Sequence, residues 1–270
     1  MYRVGYRTAS FGKWSPEEAF RALGEAGCDS VELCLEQGWL GGGEDAEHRA
    51  RELVEMAEAG GVRIHSVSFH GDGRPWSERA QGQIEAVRAA ELLGVKVVVV
   101  NTPAQAEGVE EEQVVEHLCR VAEEAEGRGI RVAVEPEPEL IIADVADALR
   151  VIDRCGTPAL GVNLDVGHAF LTEADLPSAI RALAGRIYHV HLEDMPADEH
   201  RHLVPGEGDI DLPGAVVALW EAGFRGVLTI DLFAEVENPV DVAARAIRAT
   251  RDVLREAMAR VAETGGRAAL

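Results

Sequence analysis

Five times along this 270-residue chain a helical stretch ends on glycine and runs at once into a β-rich segment. The junctions are EAGC (25–28), EAGGVR (58–63), ELLGVK (91–96), EGRGIR (126–131) and EAGFRG (221–226). Glycine closes a helix because it accepts the left-handed backbone there without steric cost. Eight β-rich runs fit the same rhythm, at 2–8, 30–36, 63–70, 96–102, 131–137, 160–166, 186–194 and 226–233. Their starts lie 26 to 40 residues apart, the size of one strand–helix unit. Ser15-Pro16-Glu17-Glu18 reads as a capping box with proline in the first turn, and Thr172–Asp175 and Asp211-Leu212-Pro213 are weaker helix starts. Eight such units predict an α/β fold, a closed (β/α)8 TIM barrel, as one domain over residues 1–263 with a frayed tail over 264–270. A doubly wound open sheet would want GxGxxG after its first strand, and TASFGKWS has none.

Charge removes several functions. Asp and Glu total 48 against 26 for Lys and Arg, a net charge of −22, so a phosphate backbone is repelled and no nucleic-acid partner is expected. No run approaches the ~18 apolar residues of a membrane span. MYRVGYRTASF lacks the apolar centre of a signal peptide, so a cytoplasmic protein without a membrane partner is expected. Cys28, Cys34, Cys119 and Cys155 form no CxxC and read as idle thiols of a reducing compartment. The two lysines rule against Schiff-base chemistry, since Lys96 begins strand 4 on the stability face and Lys13 lies in a loop.

In a barrel of this kind chemistry sits where the strands end. Those ends carry Glu32 to Glu36, His70, Asn101, Glu135, Asp165 with His168, His191 with Asp194, and Asp231. Six of nine histidines (70, 168, 189, 191, 200 and 202) fall at these ends or in the loop after strand 7, whereas His48 and His117 lie on helices. Carboxylates converging on one mouth repel each other unless a cation neutralises them. Glu135, Asp165, His191 and Asp231 come from four consecutive strands and suit one divalent ion (Mn, Mg, Co or Zn) with positions left open for substrate. PGEGDID (205–211) reads as a tight turn with Asp209 or Asp211 capping the next helix, or as a loop that sets Glu207 over the mouth. Trp14, Trp39 beside Gly41-Gly42-Gly43, and Trp76 read equally as sugar-stacking or packing residues.

VEPE (134–137), NLDVGH (163–168), HVHLED (189–194), HRHLVPGEGDID (200–211) and the strand-8 carboxylate appear in an order that resembles the xylose-isomerase-like barrels. More closely, they resemble the sugar phosphate isomerase/epimerase superfamily, with its ketose 3-epimerases, hydroxypyruvate isomerases, inosose dehydratases and endonuclease IV. The resemblance implies a divalent ion on Glu135, Asp165, His191 and Asp231, substrate hydroxyls on His168, and proton removal and return by Glu135 and Asp231. It also implies an arginine on the substrate, for which Arg201, ten residues after His191, is the candidate; His70 and Glu207 complete the candidate substrate contacts. Two departures stand out. Asp231 replaces a glutamate and reaches one methylene less, which weakens a two-base epimerase more than a one-base isomerase. His200-Arg201-His202 before Gly-Glu-Gly resembles the segment that feeds the multi-zinc cluster of endonuclease IV, which makes His168, His200 and His202 second-metal candidates, although Asn101 stands where that enzyme has histidine.

The expectation is a metal-dependent isomerase or epimerase of a small sugar or related polyhydroxy carbonyl compound, acting through an enediolate. Its rivals are a multinuclear phosphoesterase on a small substrate, a cyclitol dehydratase or lyase, and a non-catalytic binding module. Barrels of this kind often pair through outer helices, so a homodimer is expected by analogy of fold.

Overall fold

The computed structural model describes residues 2–43, 45–232 and 238–265, with residues 264 and 265 described by their backbone alone. Eight parallel strands close into a barrel, each paired with the next and β8 with β1. They are β1 (Arg3–Arg7), β2 (Ser30–Cys34), β3 (Ile64–Phe69), β4 (Val97–Val100), β5 (Arg131–Val134), β6 (Leu160–Asp165), β7 (Ile187–Leu192) and β8 (Val227–Ile230). The outer layer holds α1 (Pro16–Glu25), α2 (Ala46–Ala59), α3 (Trp76–Leu93), α4 (Glu111–Glu126) and α5 (Val145–Cys155). It continues with α6 (Val166–Thr172), α7 (Leu176–Ala182), α8 (Leu212–Glu221) and α9 (Pro239–Gly265). The eight-unit barrel is therefore the observed architecture. Every strand is shorter than its β-rich run, and Glu135 and Asp231, just past the ends of β5 and β8, join the mouth. Phe233, the end of the expected eighth strand, lies outside the described residues, as do 266–270 of the expected tail; α9 continues to Gly265, two residues past the expected boundary.

Local chemistry accounts for the element starts. Ser15 Oγ accepts from the Glu18 amide while Glu18 accepts from the Ser15 amide, closing the expected capping box of α1. Asp211, not Asp209, caps α8 by accepting from Gly214 N. The sixth unit departs from the repeat. Asp165 ends β6 and caps α6 at once, accepting from His168 N at 2.8 Å, and a second short helix, α7, starts from its own cap Asp175. His168 thus sits in a first helical turn, within reach of Asp165.

Between strands and helices the core is apolar, as at Val98 and Val100 and at Val132 and Val134. Inside the barrel it is polar, with Ser66, Asn163, His189 and Thr229 buried near the half-buried His65. Gly5 makes room for this layer: a Cβ there would lie 2.9 Å from Thr229 Oγ1 and 3.1 Å from His65. Branched apolar residues usually fill that space.

The idle-thiol expectation holds for Cys28 and Cys34, which are free and buried, and fails for the other two. Cys119 on α4 and Cys155 at the end of α5 form a disulfide, because neighbouring barrel helices bring positions 36 residues apart side by side. A disulfide does not fit a reducing compartment, so the cysteines no longer argue for the cytoplasm. Among the described residues no helix is long and apolar enough to cross a membrane.

Candidate active site

One imidazole nitrogen organises the mouth. His191 Nδ1 lies 3.4 Å from Glu135 Oε2, 3.6 Å from Asp231 Oδ2 and 3.9 Å from Asp165 Oδ2. All four residues are at most 2% exposed. The other nitrogen, Nε2, lies 3.1 and 3.2 Å from the two oxygens of Glu32 on β2. A carboxylate can only accept, so Glu32 fixes a proton on Nε2, and Nδ1 sits 3.0 Å from the Asn163 Nδ2 donor beside the other three acids. Asn163 supports Glu135, donating from Nδ2 to Oε2 at 2.8 Å.

The donor set fits a divalent cation. Asp165 Oδ2 and Asp231 Oδ1 are buried without a hydrogen-bond partner, which is costly unless something else meets them. Oxygen and imidazole donors of this mixture suit Mn, Mg, Co or Zn. Electrostatics agree. Burial alone would raise Glu135, Glu32 and Asp231, but imidazoles hold the first two well below the usual carboxylate range, and Arg7 with His191 and His202 holds Asp231 down. Burial would lower His191, yet Glu32 and Glu135 raise it well above an ordinary imidazole. Such a site gathers positive charge, which a metal ion bound in place of a proton would supply.

Arg7, at the end of β1, is the residue the strand-end survey passed over. It is 4% exposed and donates from Nη1 to Asp231 Oδ2 at 2.9 Å and from Nε to Ser68 Oγ at 3.2 Å, with Nη2 2.5 Å from His70 Nδ1. The signal was available, since β1 has a C-terminal end like the other seven strands. Glu193 was passed over too. Its Oε1 accepts from Gly167 N at 2.7 Å, and a Cβ on Gly167 would lie 2.3 Å from that oxygen, so the glycine of NLDVGH lets the acid approach. Burial and the nearby Asp165 raise Glu193 well above a normal carboxyl.

The mouth opens on a cavity of about 300 Å³ lined by Arg7, His70, Asn101, Glu135, His168 and Asp231, among others. His70 reaches it and lies 3.2 Å from Glu135 Oε2. His168 has neither ring nitrogen hydrogen-bonded and forms a cluster with His200 and His202, near enough for one atom of each to share an ion. His202 donates Nδ1–H to the Asp231 carbonyl at 3.0 Å, which leaves its Nε2 open. Arg201 also lines the cavity but is exposed and paired with Glu199 at 3.1 Å. Glu207 does not come to the mouth: it is exposed and ion-paired with Arg245 of α9, because the turn at 205–208 folds outward under Asp194, which accepts from Gly206 N and Ile210 N. The tryptophans pack edge-on against Phe11, Phe20 and His117 and do not line the cavity. Gly41–Gly43 line a larger groove of about 840 Å³ on the barrel's flank, which holds none of the clustered donors.

The profile of the xylose isomerase-like TIM barrels matches residues 20–257. A 3-dehydroshikimate dehydratase of Pseudomonas putida is 30% identical over 152 residues, covering 52% of this chain and 24% of that protein. An inosose isomerase of Bacillus subtilis is 28% identical over 160 residues, covering 54% of this chain and 57% of that protein. These matches thus span from a quarter to little more than half of the relatives' lengths. A crystal structure of the IOLI protein with a binding zinc atom superposes with a TM-score of 0.76 at 19% identity, over 93% of this chain and 97% of that one. The chain belongs to the xylose isomerase-like TIM-barrel family.

Proposed function

We propose that the protein is a divalent-cation-dependent isomerase or epimerase of a small polyhydroxylated carbonyl compound, a sugar or a cyclitol ketone. The observation that carries this is the meeting of Glu135, Asp165 and Asp231 around His191 Nδ1. Glu135, Asp165, His191 and Asp231 would hold the ion, which supplies Lewis acidity to a carbonyl and its neighbouring hydroxyl when bound. Glu135 takes the proton from the hydroxyl-bearing carbon, giving an enediolate, and the same carboxyl returns it to the former carbonyl carbon in an isomerisation, while the hydroxyl proton passes to the former carbonyl oxygen. Epimerisation needs delivery from the opposite face, where Asp231 is the candidate. His168 and His70 hydrogen-bond substrate hydroxyls, and the two lining arginines are already matched by carboxylates, which favours an uncharged substrate. The isomerase relative and the zinc in the related fold support this reading.

A dehydratase is the second reading. The ion pair of Arg7 with Asp231 favours it, since loss of water from a hydroxyketone needs one base and one acid rather than two matched bases. Incubation of the Mn²⁺-loaded protein with inosose or ribulose in deuterated water separates the two. Deuterium in recovered or isomerised ketone supports the isomerase; an unsaturated product supports the dehydratase; neither, across a panel of uncharged ketoses and cyclitol ketones, contradicts both. Two ions per chain instead of one would assign the second to His168, His200 and His202 and favour hydrolysis of a phosphate ester.

A further inference from the structure

Both proposed reactive carboxylates connect to one guanidinium. Arg7 donates directly to Asp231 Oδ2, and its Nη2 meets His70 Nδ1, whose opposite nitrogen lies 3.2 Å from Glu135 Oε2. A guanidinium carries donors and no lone pair, so His70 Nδ1 is obliged to accept and the ring proton is on Nε2, aimed at Glu135. A proton on Nδ1 would point at the Arg7 Nη2 donor 2.5 Å away. The ring cannot turn away easily. The His70 amide donates to Glu36 Oε1 at 2.5 Å, and its carbonyl accepts from Arg79 Nε at 3.0 Å. Ser68 at 3.2 Å and Glu32 at 3.4 Å hold Arg7 itself from the barrel side.

We propose that Arg7 is the positioning residue of this mouth: through His70 it fixes a hydrogen bond onto Glu135, and directly it pins one oxygen of Asp231, leaving the other, Oδ1, without a protein partner. The planar fork is what spans the two partners, and a lysine ammonium would not. The mechanistic half of this rests on the proposed roles of Glu135 and Asp231; the tautomer of His70 does not.

The test uses full-length, chelator-stripped protein labelled with ¹⁵N-histidine, at about pH 8, with His70→Gln to assign the resonance. Two-bond proton–nitrogen correlations should give His70 a protonated Nε2 and a pyridine-type Nδ1. A proton on Nδ1, alone or as imidazolium, overturns the proposal, and this measurement needs no variant to fold. In Arg7→Met the single tautomer should be lost while the His117 pattern, far from the mouth, is kept; an unchanged His70 beside an unchanged His117 also overturns it. On any substrate that passes the exchange assay, Arg7→Met should lower kcat about 10²-fold with KM within about threefold; a rise in KM alone contradicts positioning. If every substrate fails while His70 keeps its Nε2 proton, the reaction reading falls and the role of Arg7 in ordering His70 stands.

Discussion

The two arcs of the mouth are built differently. From β5 to β7, Glu135, Asp165 and His191 are held by the Asn163 amide, the His168 backbone N–H and the Glu32 carboxylate, none of them a guanidinium. From β8 to β1, Asp231 is divided, with one oxygen on Arg7 and the other unpartnered. Carboxylates at equivalent strand ends are therefore not equivalent groups. The first arc can give its full charge to a cation, whereas Arg7 already offsets part of Asp231's, and its shorter side chain is anchored toward β1. On this reading Glu135 carries the proton chemistry and Asp231 assists.

The strongest way to break the contrast is mutation of both acids. Glu135→Gln should lower turnover on an identified substrate by at least about 10³-fold, and Asp231→Asn by only about tenfold to 10²-fold. Equal losses in steady-state kinetics would abolish the distinction between the arcs. Next in size is a change outside the mouth. Cys119→Ser opens the link between α4 and α5 and should cost about 3 kcal/mol in denaturant unfolding, with Mn²⁺ affinity unchanged. Altered Mn²⁺ affinity would mean that the first arc depends on its outer helices. Glu32→Gln should weaken Mn²⁺ binding about 10- to 100-fold in calorimetric titration, since it frees the His191 ring to take the wrong tautomer.

The smallest effect concerns pH. Glu36 accepts from the amides of His70 and Gly71 and, against the pull of its burial, is held below its ordinary value near 4.5, with the Gly71 amide and the Arg7 guanidinium among the causes. A carboxyl depressed in the folded state adds stability above its unfolded pKa and loses it as pH falls through the folded one. Glu36→Gln should thus be less stable than the parent by about 1.5 kcal/mol at neutral pH, with the gap closing below about pH 4. A gap that persisted into acid would show that shape rather than charge holds the β3 end.

Much of this was legible in the sequence, for physical reasons. Helix–glycine–strand junctions and buried valine runs are local, so the eight units could be counted, and the rule that strand ends make the mouth picked out Glu135, Asp165, His191 and Asp231 together. Supporting contacts were less legible because they join distant strands. Nothing near Glu32 in the chain announces that it faces His191, 159 residues away, and nothing near Arg7 announces Asp231. The disulfide had the same character, since spacing alone does not say that two helices are neighbours. Glu207 was misplaced because its direction is decided by Asp194 across the loop, not by the turn that contains it.

The central claim is that Glu135, Asp165, His191 and Asp231 share one divalent ion. Calorimetric titration of chelator-stripped protein with Mn²⁺, in the parent and in His191→Ala, tests it most directly. The account predicts one tight equivalent in the parent and at least about 10²-fold weaker binding in the variant, with far-ultraviolet dichroism unchanged. Binding that is absent from the parent, or as tight in a folded His191→Ala, would contradict it.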